Sequence, residues 1–473
     1  MKVLIVEDNL RNIQELTQTV VSAFPAGDVV IKQSRDTALA ALQNETFDLI
    51  ILDRKIPTSD GAMDDDVAHG ETVYGFIKAE IMGTPVRFWT AFPDDDYYNN
   101  KMADVLQEDI WGTGVRQTVG IIRKGRFDQI RETIGEVKAA LDTLDMIELR
   151  HRPGKAVELN YLEKRILKVF AKRVGGTAVE AMALSGGLSD AKVLRVAVFA
   201  GANQIHLTVG KLTTIRELSE ELKRYQHFVR LLPGAAPAIV CQVRTGAGRY
   251  GGTFYQLAAG HEKSLFAELT NNPKSGGKLV AEIRKKVGPW LSNAEERKIT
   301  IAELRRSFVS DDIFKIVSDA LPGQNLTQFE SHLITLKICC CHGDLHGENV
   351  LFDDNQNPIL IDFGEAGVGC AAIDPLTLEL SAIFHPNGML KTMKWPSASQ
   401  AKHWVDVNLY LKDCPYPSYV NACRDWAYEV AHGNRAIYAI AYAYLVKQFK
   451  YRDTDKEIAK ALIEAVVTAY AKT

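Results

Sequence analysis

Over roughly its first 140 positions the chain alternates short apolar runs with amphipathic stretches. KVLIV (2–6), DVVIKQ (28–33), DLIIL (48–52), VRFWT (86–90) and VGIIRK (119–124) are short and rich in β-branched and aromatic residues, which predicts strands. Between them, NLRNIQELTQTVVSAF and RDTALAALQNE place apolar residues at helical spacing. Five strands alternating with helices predict right-handed crossovers and a parallel sheet covered on both faces. Ligands of such a sheet gather beyond the carboxyl ends of its strands.

The pattern then changes. Residues 127–145 read as one helix leading into a linker, broken at the Pro-Gly pair of HRPGKA (151–156), after which the basic stretch NYLEKRILKVFAKRVGG predicts another helix. From 180 onward strands return around a Gly-Gly turn, followed by a helix over 216–229 and more strands over 238–258. Beyond about 261 the pattern is mainly helical, interrupted by CCCHGDLHGENVLFDDNQNPILIDFGEAG (339–367). No internal repeat or low-complexity tract is present.

Composition narrows the class. With 473 residues, 46% hydrophobic and 24% charged, the chain has the usage of an ordinary globular protein of two to four domains. A net charge of −3, with Lys and Arg dispersed, gives no electrostatic reason for nucleic acid or an anionic membrane as partner. No signal-peptide pattern and no apolar span of about 20 residues is seen, so a cytoplasmic protein is expected. Cys339, Cys340 and Cys341 are adjacent and would point to alternate faces of a strand, so they cannot converge on one metal; reduced buried thiols are expected. The acidic triplets Asp64–Asp66 and Asp94–Asp96 read as solvated loops or helix starts.

Three carboxylates fall at strand ends of the first region: Glu7 and Asp8 after the first strand, Asp53 after the third. Neighbouring parallel strands would bring them to one rim, where their mutual repulsion calls for a divalent cation, and hard oxygen donors suit Mg2+. Thr90 ends the fourth strand and Lys124 the fifth. With these residues in place, positions 1–128 resemble a response-regulator receiver domain. The resemblance implies Glu7, Asp8 and Asp53 as metal ligands, Asp53 as phosphoacceptor, and Thr90 and Lys124 as contacts to the phosphoryl group. It also implies a sensor histidine kinase or other phosphodonor as partner, and a homodimer through the receiver as one route to output. Lys124-Gly125 replaces the usual Lys-Pro, Ile121 replaces the usual aromatic, and AMDDDVAHGE looks inserted after Gly61.

In HGDLHGEN an aspartate, Asp344, precedes an asparagine, Asn349, by five residues, and a strand-turn-strand then ends in Asp362-Phe363-Gly364. A hairpin would return Asp362 to Asn349, where carboxylate and carboxamide can share Mg2+ on nucleotide phosphates, while Asp344 faces an incoming hydroxyl. The two histidines four apart lack the glutamate and helix of a zinc motif. Upstream, Gly186, Gly187 and Ser189 form a turn that could cover phosphates. Lys211 ends the strand-like QIHLTVGK, and Glu221, with Glu217 and Glu220 as alternatives, lies on the next helix.

Residues 165–473 therefore resemble the aminoglycoside-phosphotransferase-like branch of the protein-kinase fold, with an N-lobe over 165–260, a helical C-lobe over 261–473 and a helical linker over 129–164. Gly343 stands where protein kinases carry Arg, and only ten residues separate Gly364 from Asp374, too few for a long activation loop. The resemblance implies ATP and Mg2+ as cofactors, Asp344 as base, Asn349 and Asp362 as metal ligands, and Lys211 on the α- and β-phosphates with Glu221 as its partner. It also implies Leu351 on the adenine floor, a hinge near LAAG (257–260), and Asp374 bracing the catalytic loop. KRYQHFVRLLPG and QFKYRDTDKE add a likeness to kinase-like domains of bacterial signalling and conflict systems.

The fold class expected is thus an α/β receiver followed by an α+β bilobal kinase-like fold, acting as a phosphotransferase on an unidentified hydroxyl acceptor and gated at Asp53. A nucleotide-binding scaffold without transfer and a protein Ser/Thr kinase are the alternatives. The aromatics of 388–473 read mostly as core.

Overall fold

Five strands, β1 (Lys2–Val6), β2 (Asp28–Lys32), β3 (Leu49–Asp53), β4 (Val86–Thr90) and β7 (Val119–Arg123), form an all-parallel sheet in the order β2-β1-β3-β4-β7. This is the doubly wound, flavodoxin-like order of a receiver domain. The description comes from a computed structural model and covers residues 1–91, 107–150, 157–184, 191–232, 234, 236–257, 261 and 263–473.

The sheet is buried on both faces because successive side chains point opposite ways. Leu4, Val6, Ile50 and Leu52 join a core with α2 (Arg35–Asn44) and α3 (Val67–Glu80), while Val3, Ile5, Leu49 and Ile51 join another with α1 (Leu10–Ala23) and α4 (Phe127–Asp145). Asp66 caps α3, accepting from the Ala68 amide, so one acidic triplet does start a helix; the other, Asp94–Asp96, lies outside the described residues. A two-residue ribbon, β5 (Gln107–Glu108) with β6 (Arg116–Gln117), precedes β7.

A second, six-stranded sheet runs β12-β13-β11-β10-β9-β8, made of β8 (Glu148–Arg150), β9 (Ala178–Ala183), β10 (Lys192–Ala200), β11 (Asn203–Thr214), β12 (Ile239–Val243) and β13 (Tyr250–Gln256). The stretch expected as a helical linker thus also supplies an edge strand, β8, parallel to β9. Helix α5 (Tyr161–Arg173) lies on this sheet, its Phe170 ring stacked 3.7 Å from Phe254. One apolar core holds Val137, Ala140 and Leu144 of α4 together with Ile166 and Phe170 of α5 and Val196 and Phe254 of the sheet.

Polar contacts tie the same elements. The Arg165 guanidinium, on α5, donates to Asp48 Oδ1 at 2.5 Å, both groups buried. Arg173 donates to the Asp109 carbonyl (2.6 Å) and to Thr245 Oγ1 (2.8 Å), and Trp111 Nε1 donates to the Gly246 carbonyl (3.3 Å). Gly246 has φ +82°, and a Cβ there would stand 2.6 Å from the Trp111 ring, so the turn admits only glycine. By contacts the chain divides into two units, residues 1–219 with 238–256, and residues 220–237 with 257–473. The five-stranded parallel sheet and the six-stranded sheet belong to one unit.

The second unit is mainly helical, with Gly276–Leu291, Ile373–Phe384, Pro417–Val430, Asn434–Lys447 and Lys456–Tyr470 as its longer helices. Trp404, Tyr410, Tyr416, Tyr419, Trp426, Tyr438, Tyr442 and Tyr444 are all buried in its core. Buried Arg424 donates to both carboxylate oxygens of Glu379 (2.6 and 2.8 Å), a fork that fixes Ile373–Phe384 against Pro417–Val430. A three-stranded sheet of Glu295–Thr300, Leu333–Cys341 and Gly367–Cys370 departs from the helical expectation. Glu295–Thr300 is charged and largely exposed, so it shows no apolar alternation to read. Cys339, Cys340 and Cys341 lie on one of these strands as free thiols, their pKa values pushed up by burial. Among the described residues no helix is long and apolar enough to cross a membrane.

Candidate functional site

Chemistry-bearing residues gather in two places. The first is the carboxyl rim of the parallel sheet. Because β1 and β3 pair with Val6 opposite Leu52, Glu7 and Asp53 leave their strands side by side. Carboxylate oxygens of Glu7, Asp8 and Asp53 all lie within 4.8 Å of one another, a spacing that fits a hard divalent ion. Lys124 Nζ is 2.6 Å from Asp53 Oδ2 and 2.9 Å from Glu7 Oε2, and the Lys55 amide donates to Asp53 Oδ1 at 3.3 Å. Burial and the neighbouring Glu7 charge push the Asp53 pKa up to about 6, against the opposing pull of Lys124. Burial opposes the Lys124 charge, but Asp53 and Glu7 outweigh it and raise the lysine's pKa. Thr90 is buried at the end of β4, its carbonyl accepting from the Lys124 amide at 2.8 Å.

The second place is the loop after strand Leu333–Cys341. Fully buried Asp374, in the first turn of helix Ile373–Phe384, accepts from the His342 amide (2.8 Å) and the Gly343 amide (3.0 Å). Gly343 has φ +79°, and a Cβ there would lie 2.5 Å from the Glu365 carbonyl. That close approach accounts for glycine where an arginine stands in protein kinases. Asn349 Nδ2 donates to the Asp344 carbonyl (2.9 Å), and the Ile361 amide donates to the Asn349 carbonyl (3.0 Å). The Val350–Phe352/Pro358–Leu360 pairing sets that register, so the hairpin returns Ile361-Asp362 to Asn349. Asp362 adopts φ +61°, a strained conformation for a non-glycine residue, and its Oδ1 accepts from the Gly364 amide at 3.4 Å.

Behind the loop, His342 Nε2 contacts the Ile361 carbonyl at 3.0 Å, and Phe363 packs its ring against His342 and Tyr225. Arg224 donates to the Gly364 carbonyl and lies 3.9 Å from Glu365. Asp344 itself remains 38% exposed, with His346 Nε2 3.8 Å from Oδ2 and Lys447 Nζ 3.9 Å from Oδ1. The His346 ring lies 4.7 Å from the His385 ring. Burial lowers both histidines' pKa values, that of His385 to about 3. Lys447 and His385 carry no motif and were not among the sequence candidates; only their distance from the loop in the folded chain reveals them.

Leu351 is buried on Val350–Phe352. In the six-stranded sheet Lys211 is buried opposite Val193 and Thr253, three residues before β11 ends rather than at its end. Helix α6 (Ile215–His227) follows directly. Glu221 is buried on it, whereas Glu220 is exposed beside Lys223, and Glu217 is exposed and accepts from Thr213 and Thr214. The Thr213 hydroxyl, then Thr214 and Lys211, lower the Glu217 pKa. Gly186, Gly187, Ser189 and the LAAG positions 258–260 lie outside the described residues.

Residues 180–381 match the model of the phosphotransferase enzyme family. Among solved structures the chain is similar to the phosphorylated cyanobacterial phytochrome response regulator RcpA (20% identity, 30% of this chain and 94% of that one, TM-score 0.22). It is also similar to aminoglycoside-3'-phosphotransferase of type VIII (14% identity, 61% and 100%, TM-score 0.37). A third is a thermostable aminoglycoside phosphotransferase APH(4)-Ia mutant in ternary complex with ADP and hygromycin B (14% identity, 63% and 96%, TM-score 0.35). No curated protein matches the chain. The chain thus joins a receiver-like domain to a phosphotransferase-like domain.

Proposed function

We propose that the chain is an ATP- and Mg2+-dependent phosphotransferase acting on a hydroxyl acceptor, gated by phosphorylation of Asp53. The observation that carries the reading is the tie among the motif's parts: Asn349 bonded to the Asp344 backbone, the hairpin returning Ile361-Asp362 to Asn349, and buried Asp374 clamping the loop's entry. Phosphoryl transfer asks a protein mainly for positioning and charge stabilisation, and this framework provides fixed positions.

In this reading Asp344, exposed enough to meet an acceptor, takes the hydroxyl proton. Asn349 and Asp362 offer oxygen donors suited to Mg2+, which when bound offsets phosphate charge. Lys211 is assigned to the α- and β-phosphates, Glu221 to the helix carboxylate of that pattern, Gly186, Gly187 and Ser189 to the phosphate cover, and Leu351 to the adenine floor. At the other site Glu7, Asp8 and Asp53 hold Mg2+ by the fit of their oxygens, and Asp53 receives the phosphoryl group from a histidine kinase or another donor in the cytoplasm. An acyl phosphate there replaces the Asp53–Lys124 contact with a larger, more charged group. The core shared by α4, α5 and the Lys211-bearing sheet supports a route by which that change is felt.

The test is ADP release by the full chain with ATP-Mg2+ over a panel of hydroxyl acceptors, with and without beryllofluoride. Turnover lost in Asp344→Asn supports the reading. Nucleotide binding without turnover for every acceptor makes the chain a scaffold. A beryllofluoride response that persists in Asp53→Ala removes the gate and leaves the enzyme.

A further inference from the structure

We propose that Lys447 sets the acceptor class: the hydroxyl compound phosphorylated here carries its own anionic group, a carboxylate or a phosphate, close to the reacting hydroxyl, and polyamines are rejected. This rests on the phosphotransferase reading above and adds what that reading leaves open.

Lys447 ends helix Asn434–Lys447, in which every residue from Ala436 to Val446 is buried. The helix is therefore fixed in the core, and its last side chain reaches out, 23% exposed, to within 3.9 Å of Asp344 Oδ1. Four residues on is half-buried Tyr451, whose pKa burial raises, with Lys447 opposing and Asp344, Glu365 and Asp453 adding to the rise. Each carboxylate there already has a cation: Glu365 has Arg224 at 3.9 Å, Asp453 has Lys391 at 2.9 Å, and Asp344 has Lys447. Lys391 is further tied to the Phe384 carbonyl at 3.2 Å. A polyamine acceptor carries several ammonium groups and needs several carboxylates not already neutralised. Asp344, Glu365 and Asp453 are thus each paired with a cation. An ammonium group 3.9 Å from the base repels such a ligand and attracts an anion.

In the step itself, the acceptor hydroxyl oxygen forms a bond to the γ-phosphorus of ATP. The bond from that phosphorus to the β–γ bridging oxygen breaks, its electron pair leaving with ADP, and the hydroxyl proton passes to Asp344. The acceptor's anionic group pairs with Lys447, which frees the Asp344 carboxylate to face the hydroxyl.

A lysine in the last turn of a helix is favourable on its own account, so the test reads specificity rather than stability. The full chain, Lys447→Glu, Lys447→Gln and Lys447→Arg are assayed with ATP-Mg2+ on glycerate, glycerol 3-phosphate, glycerol and hygromycin B. Binding of the same probes in the presence of AMP-PNP is measured by calorimetry. The expected result is kcat/KM at least tenfold higher for an anionic probe than for glycerol, and none for hygromycin B. Glycerate against glycerol 3-phosphate decides between carboxylate and phosphate. Lys447→Glu or Lys447→Gln raises KM for the anionic probe at least tenfold with little change in kcat, and Lys447→Arg restores it; the glutamine variant serves if the glutamate variant does not fold. Preference for hygromycin B, or an unchanged preference in both variants, overturns the proposal. If nothing turns over but an anionic probe binds in a Lys447-dependent way, the catalytic reading falls and this one stands. If no probe binds, this one falls.

Discussion

The chain holds two aspartates that each face a lysine, and the two pairs are built differently. Asp53 is 6% exposed, 2.6 Å from Lys124 and crowded by Glu7, which with burial lifts its pKa to about 6. Asp344 is 38% exposed, and Lys447 stands off at 3.9 Å. In the proposed reading Asp53 would carry the phosphoryl group, and its crowding with Glu7 is what a divalent cation would relieve. In the same reading Asp344 would only accept a proton, which needs reach and a fixed loop beneath it. The comparison predicts tension at the first site and rigidity below the second.

The largest effect should come from the foundation shared by the receiver and the six-stranded sheet. Arg165→Ala leaves buried Asp48 with the Lys2 amide and the Met1 ammonium at 4.0 Å but no guanidinium, and should lose roughly 3–5 kcal/mol of stability in a denaturant titration. A loss below about 1 kcal/mol would mean that the receiver does not depend on this pair. Next is the loop under Asp344. Asp374→Ala strands the buried His342 amide, frees the half-buried Gly343 amide, and should cost about 2–4 kcal/mol, with turnover falling at least as steeply as in Asp344→Asn. Stability unaffected by this change would remove the rigidity from the comparison.

The third change goes the other way. Asp53 binds its proton more tightly folded than unfolded, so its ionisation costs stability: the native state is relatively favoured below pH 3.8 and loses that advantage as pH rises through about 6. Asp53→Asn should therefore stabilise the chain at pH 7–8 by about 1–3 kcal/mol, with the gain vanishing near pH 4. Destabilisation at pH 8 would show that the Lys124 pair dominates and that the site holds no tension.

How much of this was legible depends on whether a residue's partners are close in sequence or repeat with a period. The receiver sheet was readable because each strand is a compact apolar run, and the strand-end positions of Glu7, Asp53, Thr90 and Lys124 follow from counting. Asp344, Asn349 and Asp362 were readable because one loop and one hairpin hold them all. Lys447 was not, since it reaches Asp344 from 103 positions away at the end of a helix whose other residues are core. Nor was the docking of Trp111 on Gly246 or Arg165 on Asp48, pairs 135 and 117 residues apart with no periodicity to announce them. Strand Glu295–Thr300 was missed because it is charged and exposed, and only pairing with Leu333–Cys341 makes it a strand. Glu221 is buried where Glu217 and Glu220 on the same helix are exposed, a difference that composition does not carry.

The smallest effect sharpens the comparison on the Asp344 side, where burial depresses the pKa values of His346 and His385. His385 is buried, its Nδ1 accepting from the Asn387 amide at 3.1 Å, and its ring lies 4.7 Å from His346 and 5.7 Å from Phe266. Burial, and then His346, depress its pKa to about 3, while Asp344 and Asp453 pull upward and Lys391 downward. A depressed histidine contributes stability that is fully present above pH 6.5 and lost as pH falls toward 3. At pH 5.5 the loss amounts to about 1.4 kcal/mol. Melting wild type and His385→Gln side by side from pH 7.5 to 5 should show the wild type falling faster, because the variant has no imidazole to keep neutral. Parallel curves would mean that the ring takes up its proton without cost, and that the packing behind Asp344 yields where the comparison requires it to stay fixed.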